Sequence, residues 1–273
     1  MGSADSTVPR ERSGSLPAVR LSVLIFVVGY GLAGPALTPS LAGSSGLYPL
    51  GLACLIVLTT GAFAANFRHP ERSAQQVYLA LSIVPALTIA RLALVGLPEW
   101  FLDPIFAYLL LAVAILVLRD TSGARVLFQS RTAKSPILAL ALGGGLAEGL
   151  SILGFVFLGP APSAAKLDAW LWAGLLAPVA LLDELWFRGL LQQSLTRALP
   201  NSWGWVATAA IFAAYGAPFG TLSTFVFRSA YGLVLGFVAT RRENLPASLV
   251  ARTAMTVALV VLLPGLAATS LIV

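Results

Sequence analysis

The chain has 273 residues, of which 58% are hydrophobic and only 10% are charged, and its formal net charge is +6. Charged residues make up about 25% of an ordinary soluble domain, so this composition excludes a soluble globule and predicts a polytopic membrane protein. A single cysteine, Cys54, and a single histidine, His69, exclude a disulfide framework, a zinc finger and any site built from several thiolates or imidazoles.

The chain begins with a polar segment that is rich in Ser and Pro. Residues 1–17 are therefore predicted to form a disordered cytoplasmic tail. No internal repeat and no soluble second domain follow. Residues 18–273 are predicted to form a single membrane domain.

Apolar stretches follow one another along the membrane domain, and each is close to the roughly 20 residues that a spanning helix needs. They lie at about 18–38, 46–65, 75–97, 101–118, 136–159, 169–190, 203–219, 223–240 and 246–270. The predicted fold class is therefore all-α, a polytopic transmembrane helical bundle of about eight or nine spans.

Basic residues at the ends of these stretches and between them predict the orientation, because cytoplasmic loops carry an excess of Lys and Arg. Twelve fall in the tail and in alternate connections, against only Lys166 on the other side. The twelve are Arg10, Arg12, Arg20, Arg68, Arg72, Arg119, Arg125, Arg131, Lys134, Arg197, Arg241 and Arg242. This asymmetry places the N-terminus inside and the C-terminus outside.

The same asymmetry accounts for the positive net charge, and no basic stripe suited to a phosphate backbone is visible. We therefore expect the lipid bilayer as partner and no nucleic acid. The protein is predicted to be a multi-pass integral membrane protein, in the plasma membrane if its source is bacterial.

Two pairs of glycines have the G-x-x-x-G spacing that permits close contact between membrane helices. They are Gly145 with Gly149 and Gly232 with Gly236. Both pairs are interpreted as packing positions.

Seven charged residues within the predicted spans are candidates for ion pairs or a site, because each costs about 2.5–3.5 kcal/mol at the bilayer centre unless it is paired or hydrated. They are Arg91, Glu148, Asp183, Glu184, Arg188, Arg228 and Arg252. Glu184 and Arg188 are four residues apart on one helix and are predicted to form an ion pair.

None of the other five has an oppositely charged residue three or four positions away in the sequence. Asp183 and Arg252 each lie about 9 Å from the inner face, so they can meet if their helices are neighbours. Arg91 and Arg228 fall near the outer face, where long side chains can snorkel. Glu148 lies near mid-membrane, either protonated or paired with an arginine of another helix.

The segment from Leu181 to Leu191 resembles the first motif of the CAAX protease and bacteriocin-processing (CPBP) family of intramembrane endopeptidases. That motif has two glutamates, three further residues and an arginine, usually with an aromatic residue before the arginine and a glycine after it. Asp183 stands in place of the first glutamate, and the rest is matched by Glu184, Phe187, Arg188 and Gly189.

Later segments align with the family in the same order, so the resemblance covers about residues 170–262. Phe212 to Gly216 occupies the place of a Phe-x-x-x-His motif, and Thr224 to Arg242 that of a Gly-bearing helix. Asn244 to Thr256 occupies the place of the last motif, in which a His is followed four residues later by Asn or Asp.

The resemblance implies an endopeptidase that cuts membrane-protein or lipidated peptide substrates near the membrane surface. In that family the first glutamate activates water, while two histidines and the Asn hold a metal or stabilise the developing oxyanion. Asp183 takes the position of the base, Glu184 that of the second acid and Arg188 that of the motif arginine.

The departures from the family pattern concern the metal. Gly216 and Arg252 stand at the two histidine positions and Thr256 at the Asn position. A catalytic zinc needs about three protein ligands, and Arg252 would repel a divalent cation. Although the resemblance implies a metal such as zinc, we predict no metal ligand and no cofactor, and expect an ion pair between Asp183 and Arg252 instead.

Three functions are compatible with these residues. The first is a diverged CPBP-like protein with lost or altered proteolysis, which binds membrane substrates or partner helices as a pseudoenzyme. The second is an active endopeptidase in which Asp183 or Glu184 activates water and Arg252 holds the oxyanion. The third is a transporter or proton-relay protein that uses Glu148 with the membrane arginines.

Overall fold

The protein is represented by a computed structural model that describes residues 16–37, 47–94, 105, 109, 112, 136–158, 169–200, 203–241 and 245–259. Every regular element within these ranges is helical, which confirms the all-α prediction. The predicted fourth span, apart from three helical positions, and residues 1–15 of the predicted tail lie outside the described residues.

The helices follow the predicted stretches closely. They are α1 (Leu16–Ala36), α2 (Leu47–Arg68), α3 (Arg72–Ala93), α4 (Pro136–Leu158), α5 (Ala169–Glu184), a π-helical segment (Leu185–Leu191), α6 (Gln192–Ala198), α7 (Trp203–Gly216), a 3₁₀ turn (Ala217–Phe219), α8 (Leu222–Arg241) and α9 (Leu245–Val257). Within the described residues five helices, α1 to α4 and α8, are long and apolar enough to cross a membrane. The count of eight or nine spans and the orientation stay predictions.

The first helix begins earlier than predicted. Because α1 starts at Leu16, Leu16 and Pro17 belong to a helix rather than to the predicted tail. Nε of Arg20 donates a hydrogen bond to the carbonyl oxygen of Ala198, at 3.3 Å. A guanidinium is favourable there because the last carbonyls of α6 lack partners within their own helix.

The helix that carries the first motif is longer than the predicted stretch. The run of α5, the π-helical segment and α6 is continuous and ends at Ala198 instead of residue 190. Asp183 therefore lies near its middle, about 21 Å from each end at 1.5 Å per residue. The predicted depth of Asp183 was counted from the outer end of the stretch at residue 169, where α5 also begins, and it stays a prediction.

The described helices pack around one core. α1 packs against α2 and α7, α2 packs against α3, and α7 packs against α8. α9 contacts α4, α5 and α8, so it closes the bundle beside the first motif. Inside the bundle the hydroxyls of Tyr30 and Thr88 are hydrogen-bonded at 2.7 Å, which joins α1 to α3.

Capping fixes the start of α8. The backbone N–H of Thr224 donates to Oγ1 of Thr221 at 3.2 Å, and the N–H of Thr221 donates to Oγ1 of Thr224 at 3.3 Å. Such reciprocal bonds satisfy N–H groups that have no partner within a helix. The cap fixes where α8 begins and thereby sets the position of Arg228 in the second turn of the helix.

The two glycine pairs differ in their surroundings. A Cβ on Gly232 would lie 3.4 Å from Nη2 of Arg188, and one on Gly236 would lie 3.2 Å from Oε1 of Gln192, so this pair packs closely as predicted. Around Gly145 and Gly149 no described atom lies within 4 Å of such a Cβ, and packing by that pair was a wrong prediction for the described bundle. The close contact of α4 is made at Gly143, where a Cβ would lie 2.8 Å from the carbonyl oxygen of Ala247 and from Cβ of Val250 on α9.

Candidate functional site

The ion pair predicted within the first motif is present. Nε of Arg188 donates to Oε1 of Glu184 at 3.2 Å, and both side chains are fully buried. Arg188 lies in the π-helical segment, which begins directly after Glu184. Such segments are rare and frequently occur at functional sites. Nothing in the sequence predicts it.

Gln192 extends this pair toward α8 and was missed by sequence reasoning. Nη1 of Arg188 donates to Oε1 of Gln192 at 3.3 Å, and Nε2 of Gln192 donates to the Gly236 carbonyl at 2.9 Å and to Oγ1 of Thr240. The absence of a side chain at Gly236 lets the amide reach the backbone. The sequence does contain a signal for Gln192, because Glu184, Arg188 and Gln192 follow one another at intervals of four residues and so share one helix face.

Asp183, the residue before that pair, faces a different environment. It lies on a cavity of about 260 Å³ that α9 shares, and Arg252 and Thr256 lie on the same cavity. Because α5 and α9 are in contact, the condition for a meeting of Asp183 with Arg252 is fulfilled. The ion pair itself stays a prediction. Asp183 is 8% exposed and Glu184 is not exposed at all, so both acids of the motif are buried and Glu184 is the more deeply buried of the two.

Two further arginines lie on this cavity, Arg91 from α3 and Arg228 from α8. Arg91 is only 8% exposed, and its guanidinium lies 4.0 Å from the centre of the Phe219 ring. The interpretation of both as snorkelling residues at the outer face is therefore corrected: they face the interior of the bundle. The helix contacts that turn them inward are not visible in the sequence.

Arg228 occupies the space beside Gly216, the first of the two histidine positions. A Cβ built on Gly216 would overlap Nη1 and Cζ of Arg228. Gly216 therefore accommodates a guanidinium from the next helix at the place from which a side chain of its own would extend.

Phe212, the other motif position on α7, is fully buried among three guanidinium groups. The ring centre lies 4.9 Å from Cζ of Arg228, 5.4 Å from that of Arg188 and 6.0 Å from that of Arg252. The negative face of an aromatic ring attracts cations, more strongly where water is excluded. Phe212 is thus the common contact of the motif arginines.

Arg252, at the second histidine position, is held by α9 itself. Its Nη1 donates to Oγ1 of Thr256 at 3.0 Å, and the Thr256 hydroxyl donates to the Arg252 carbonyl at 3.0 Å. The guanidinium also lies 5.2 Å from the centre of the Tyr231 ring. The residue at the Asn position thus orients the arginine at the His position.

The residues at the motif positions do not fit a metal. Gly216 offers no side-chain donor, and a guanidinium stays protonated in proteins and donates hydrogen bonds without accepting any. Nowhere in the described part of the chain do three or more His, Cys, Asp or Glu side chains come together as a metal site would require. A divalent ion would face Arg228 and Arg252 at the two histidine positions.

The third acid among the seven charged candidates within the predicted spans lies elsewhere. Glu148 is exposed on α4 and is not among the described residues that line the cavity. The cavity therefore joins Asp183 to arginines without Glu148.

The comparisons with known proteins concern the same part of the chain. Residues 165–258 match the family model described as type II CAAX prenyl endopeptidase Rce1-like. No curated protein and no solved structure matches the chain significantly. The matched residues contain both acids of the first motif, together with Arg188, Phe212, Gly216 and Arg252. The resemblance to the CPBP family is thereby confirmed. Over residues 165–258, this integral membrane protein is similar to the Rce1-like family of type II CAAX prenyl endopeptidases.

Proposed function

We propose that the protein is a diverged CAAX protease-like membrane protein that has lost metal-dependent proteolysis and binds membrane-protein or lipidated peptide substrates, or partner helices, without cutting them. The observation that carries this proposal is the pair of guanidiniums at the histidine positions. Arg252 stands at one position in sequence, and Arg228 fills the space beside Gly216 at the other.

The electrostatics of the site support this proposal. Two cations that cannot be neutralised replace two neutral ligands, so a divalent ion would be repelled from the place where the family would hold it. An ion pair between Asp183 and Arg252 would then stabilise the cavity in place of a metal. Buried or membrane-embedded charges persist where they pair with one another.

A charge exchange tests that pair. Arg252→Asp is expected to destabilise the protein, and the addition of Asp183→Arg is expected to restore stability because the attraction is re-created with opposite signs. Thermal unfolding in detergent measures both variants. Absence of any rescue would show that the two side chains do not interact.

Metal analysis and a cleavage assay on the same purified sample test the function. We expect far less than one zinc per chain and no hydrolysis of a prenylated peptide. One bound zinc per chain would overturn the metal-free proposal.

The metal site should return when its space is cleared. The variant Gly216→His/Arg228→Ala/Arg252→His is expected to bind zinc, with Asp183 as a further ligand. The matched variant that retains Arg228 is not, because the guanidinium overlaps the space of any side chain at position 216. Equal zinc content in both variants would contradict the assigned role of Arg228.

An active endopeptidase is the second candidate, and the position of Asp183 favours it. This carboxylate lies on the cavity together with Arg252, whereas Glu184 is fully buried against Arg188. Asp183 would activate water and Arg252 would stabilise the oxyanion electrostatically. Glu184 would act as a positioning residue through Arg188.

Cleavage by the native protein that is lost in Asp183→Ala and kept in Glu148→Ala, an exposed acid outside the cavity, would establish this activity. Unchanged cleavage in both Asp183→Ala and Glu184→Ala would eliminate it. For the transporter alternative no contact of Glu148 with another described residue offers support. If the source is bacterial, the first proposal places the protein in the plasma membrane.

A further inference from the structure

We propose that the cavity between α3, α5, α8 and α9 binds a phosphate monoester. This inference goes beyond the proposed function, because it requires neither the loss nor the retention of proteolysis. It depends on the charge of the cavity lining, on the positions of its guanidiniums over aromatic rings, and on the mixture of polar and apolar residues in the lining.

The charge of the lining is the first argument. Among the described lining residues three arginines, Arg91, Arg228 and Arg252, accompany one acid, Asp183. Whichever arginine that carboxylate pairs with, the lining keeps two net positive charges. Glu184 and Arg188 neutralise each other in their own buried pair and add nothing to this balance.

A cluster of guanidiniums favours an anionic ligand, since arginine makes strong, bidentate, charge-assisted hydrogen bonds to phosphate. A phosphate monoester carries about −1.5 to −2 at neutral pH and matches the lining, whereas one carboxylate or one phosphodiester carries about −1. The charge therefore favours a monoester.

The geometry of the guanidiniums is the second argument. Each lies over an aromatic ring, which holds the planar group in place before a ligand arrives. The distances to the ring centres are 4.0 Å for Arg91 over Phe219, 4.9 Å for Arg228 over Phe212 and 5.2 Å for Arg252 over Tyr231. The N–H groups of a guanidinium lie in its own plane and form the fork that bidentate phosphate binding requires.

The third argument is that the lining combines polar and apolar residues. Four residues with hydroxyl groups, Tyr215, Tyr231, Thr224 and Thr256, line the same cavity as the arginines. Apolar side chains line it as well, namely Leu158, Leu176, Val179, Phe227, Met255 and Leu259. This arrangement suits a phosphate attached to a hydrocarbon chain, although a free phosphate shares the same recognised group.

Calorimetric titration of the full chain in a nonionic detergent tests the proposal. The probes are short-chain phosphatidic acid, which is a monoester, the diesters phosphatidylglycerol and phosphatidylcholine with the same chains, and inorganic phosphate. We expect one phosphatidic acid per chain, bound at least about tenfold more tightly than either diester. Inorganic phosphate that binds as tightly as phosphatidic acid would identify a soluble ligand for the same site.

Substitutions locate the binding. Arg91→Gln and Arg252→Gln are each expected to weaken phosphatidic acid binding by about tenfold or more, because each removes charge-assisted hydrogen bonds. Arg68→Gln, which removes an exposed arginine at the end of α2, is the matched control and should bind like the native protein. Arg252→Lys keeps the positive charge but lacks the two-pronged guanidinium, so its affinity for phosphatidic acid is expected to lie between those of the native protein and Arg252→Gln.

Thermal unfolding without ligand checks that each variant is folded. If a glutamine variant does not fold, the binding measured for Arg252→Lys takes its place. Equal affinity for all three lipids, or phosphatidic acid binding that no cavity substitution weakens, would overturn the proposal. Zinc content and peptide cleavage do not enter these measurements, so the proposed function stands or falls separately.

Discussion

Gly216→Ala probes the contact on which the proposed function depends. The backbone at Gly216 has φ −90° and ψ −12°, a right-handed conformation that alanine adopts freely. Any penalty must therefore come from the new methyl group, which would overlap Nη1 and Cζ of Arg228. The guanidinium has to leave its place 4.9 Å from the centre of the Phe212 ring.

Opposing terms set the size of the effect. Overpacking costs about 1–3 kcal/mol, and loss of a desolvated cation–π contact costs up to about 2 kcal/mol. Alanine regains about 1 kcal/mol over glycine in a helix. A single substitution thus mixes terms of opposite sign, and a double-mutant cycle with Arg228→Ala separates them, because the methyl group meets no guanidinium in the double variant.

We expect a coupling free energy of about 1–3 kcal/mol between the two substitutions, measured by reversible unfolding in detergent. Gly145→Ala is the matched control, since no described atom lies within 4 Å of its new Cβ. Its coupling with Arg228→Ala should stay within about 0.5 kcal/mol of zero. If the Gly216 cycle gave no more than the control, Arg228 would not occupy the space assigned to it.

Three other substitutions test the supporting structure by the same unfolding measurement. Glu184→Ala is expected to cost about 3–5 kcal/mol, because it leaves a buried guanidinium without its carboxylate, while Glu148→Ala, an exposed acid, should stay within about 0.5 kcal/mol of the native protein; equal losses would contradict the buried pair. Gln192→Leu should cost about 1–3 kcal/mol, since the Gly236 carbonyl loses its donor, and a neutral result would refute that bond. Thr221→Ala should cost about 0.5–2 kcal/mol through loss of the α8 cap, and an unchanged stability would show that the cap is dispensable.

Local regularities account for what could be predicted from the sequence. Apolar stretches of spanning length predict helices because backbone groups in a membrane must be satisfied within the segment. The pair of Glu184 with Arg188 follows from helix geometry alone, since residues four apart share one face. The order of the motifs was sufficient to predict the family resemblance.

Sequence reasoning failed where a residue's role depends on another helix. Depth along a single stretch suggested snorkelling for Arg91 and Arg228, but inter-helix packing turns both inward. The continuation of the motif helix to Ala198 was missed because Gln192, Gln193 and Arg197 are polar, although α6 packs against α1 and α7.

The sequence by itself determined that this is a helical membrane protein with acids and arginines in its apolar interior and without histidines at the two motif positions. Only the tertiary structure decided what took the histidines' place. Arg228 and Gly216 lie on successive helices, and their contact arises because the 3₁₀ turn folds α8 back along α7. Which neighbouring side chain fills the space left by a missing one depends on how the helices pack together, and no sequence pattern within one helix specifies it.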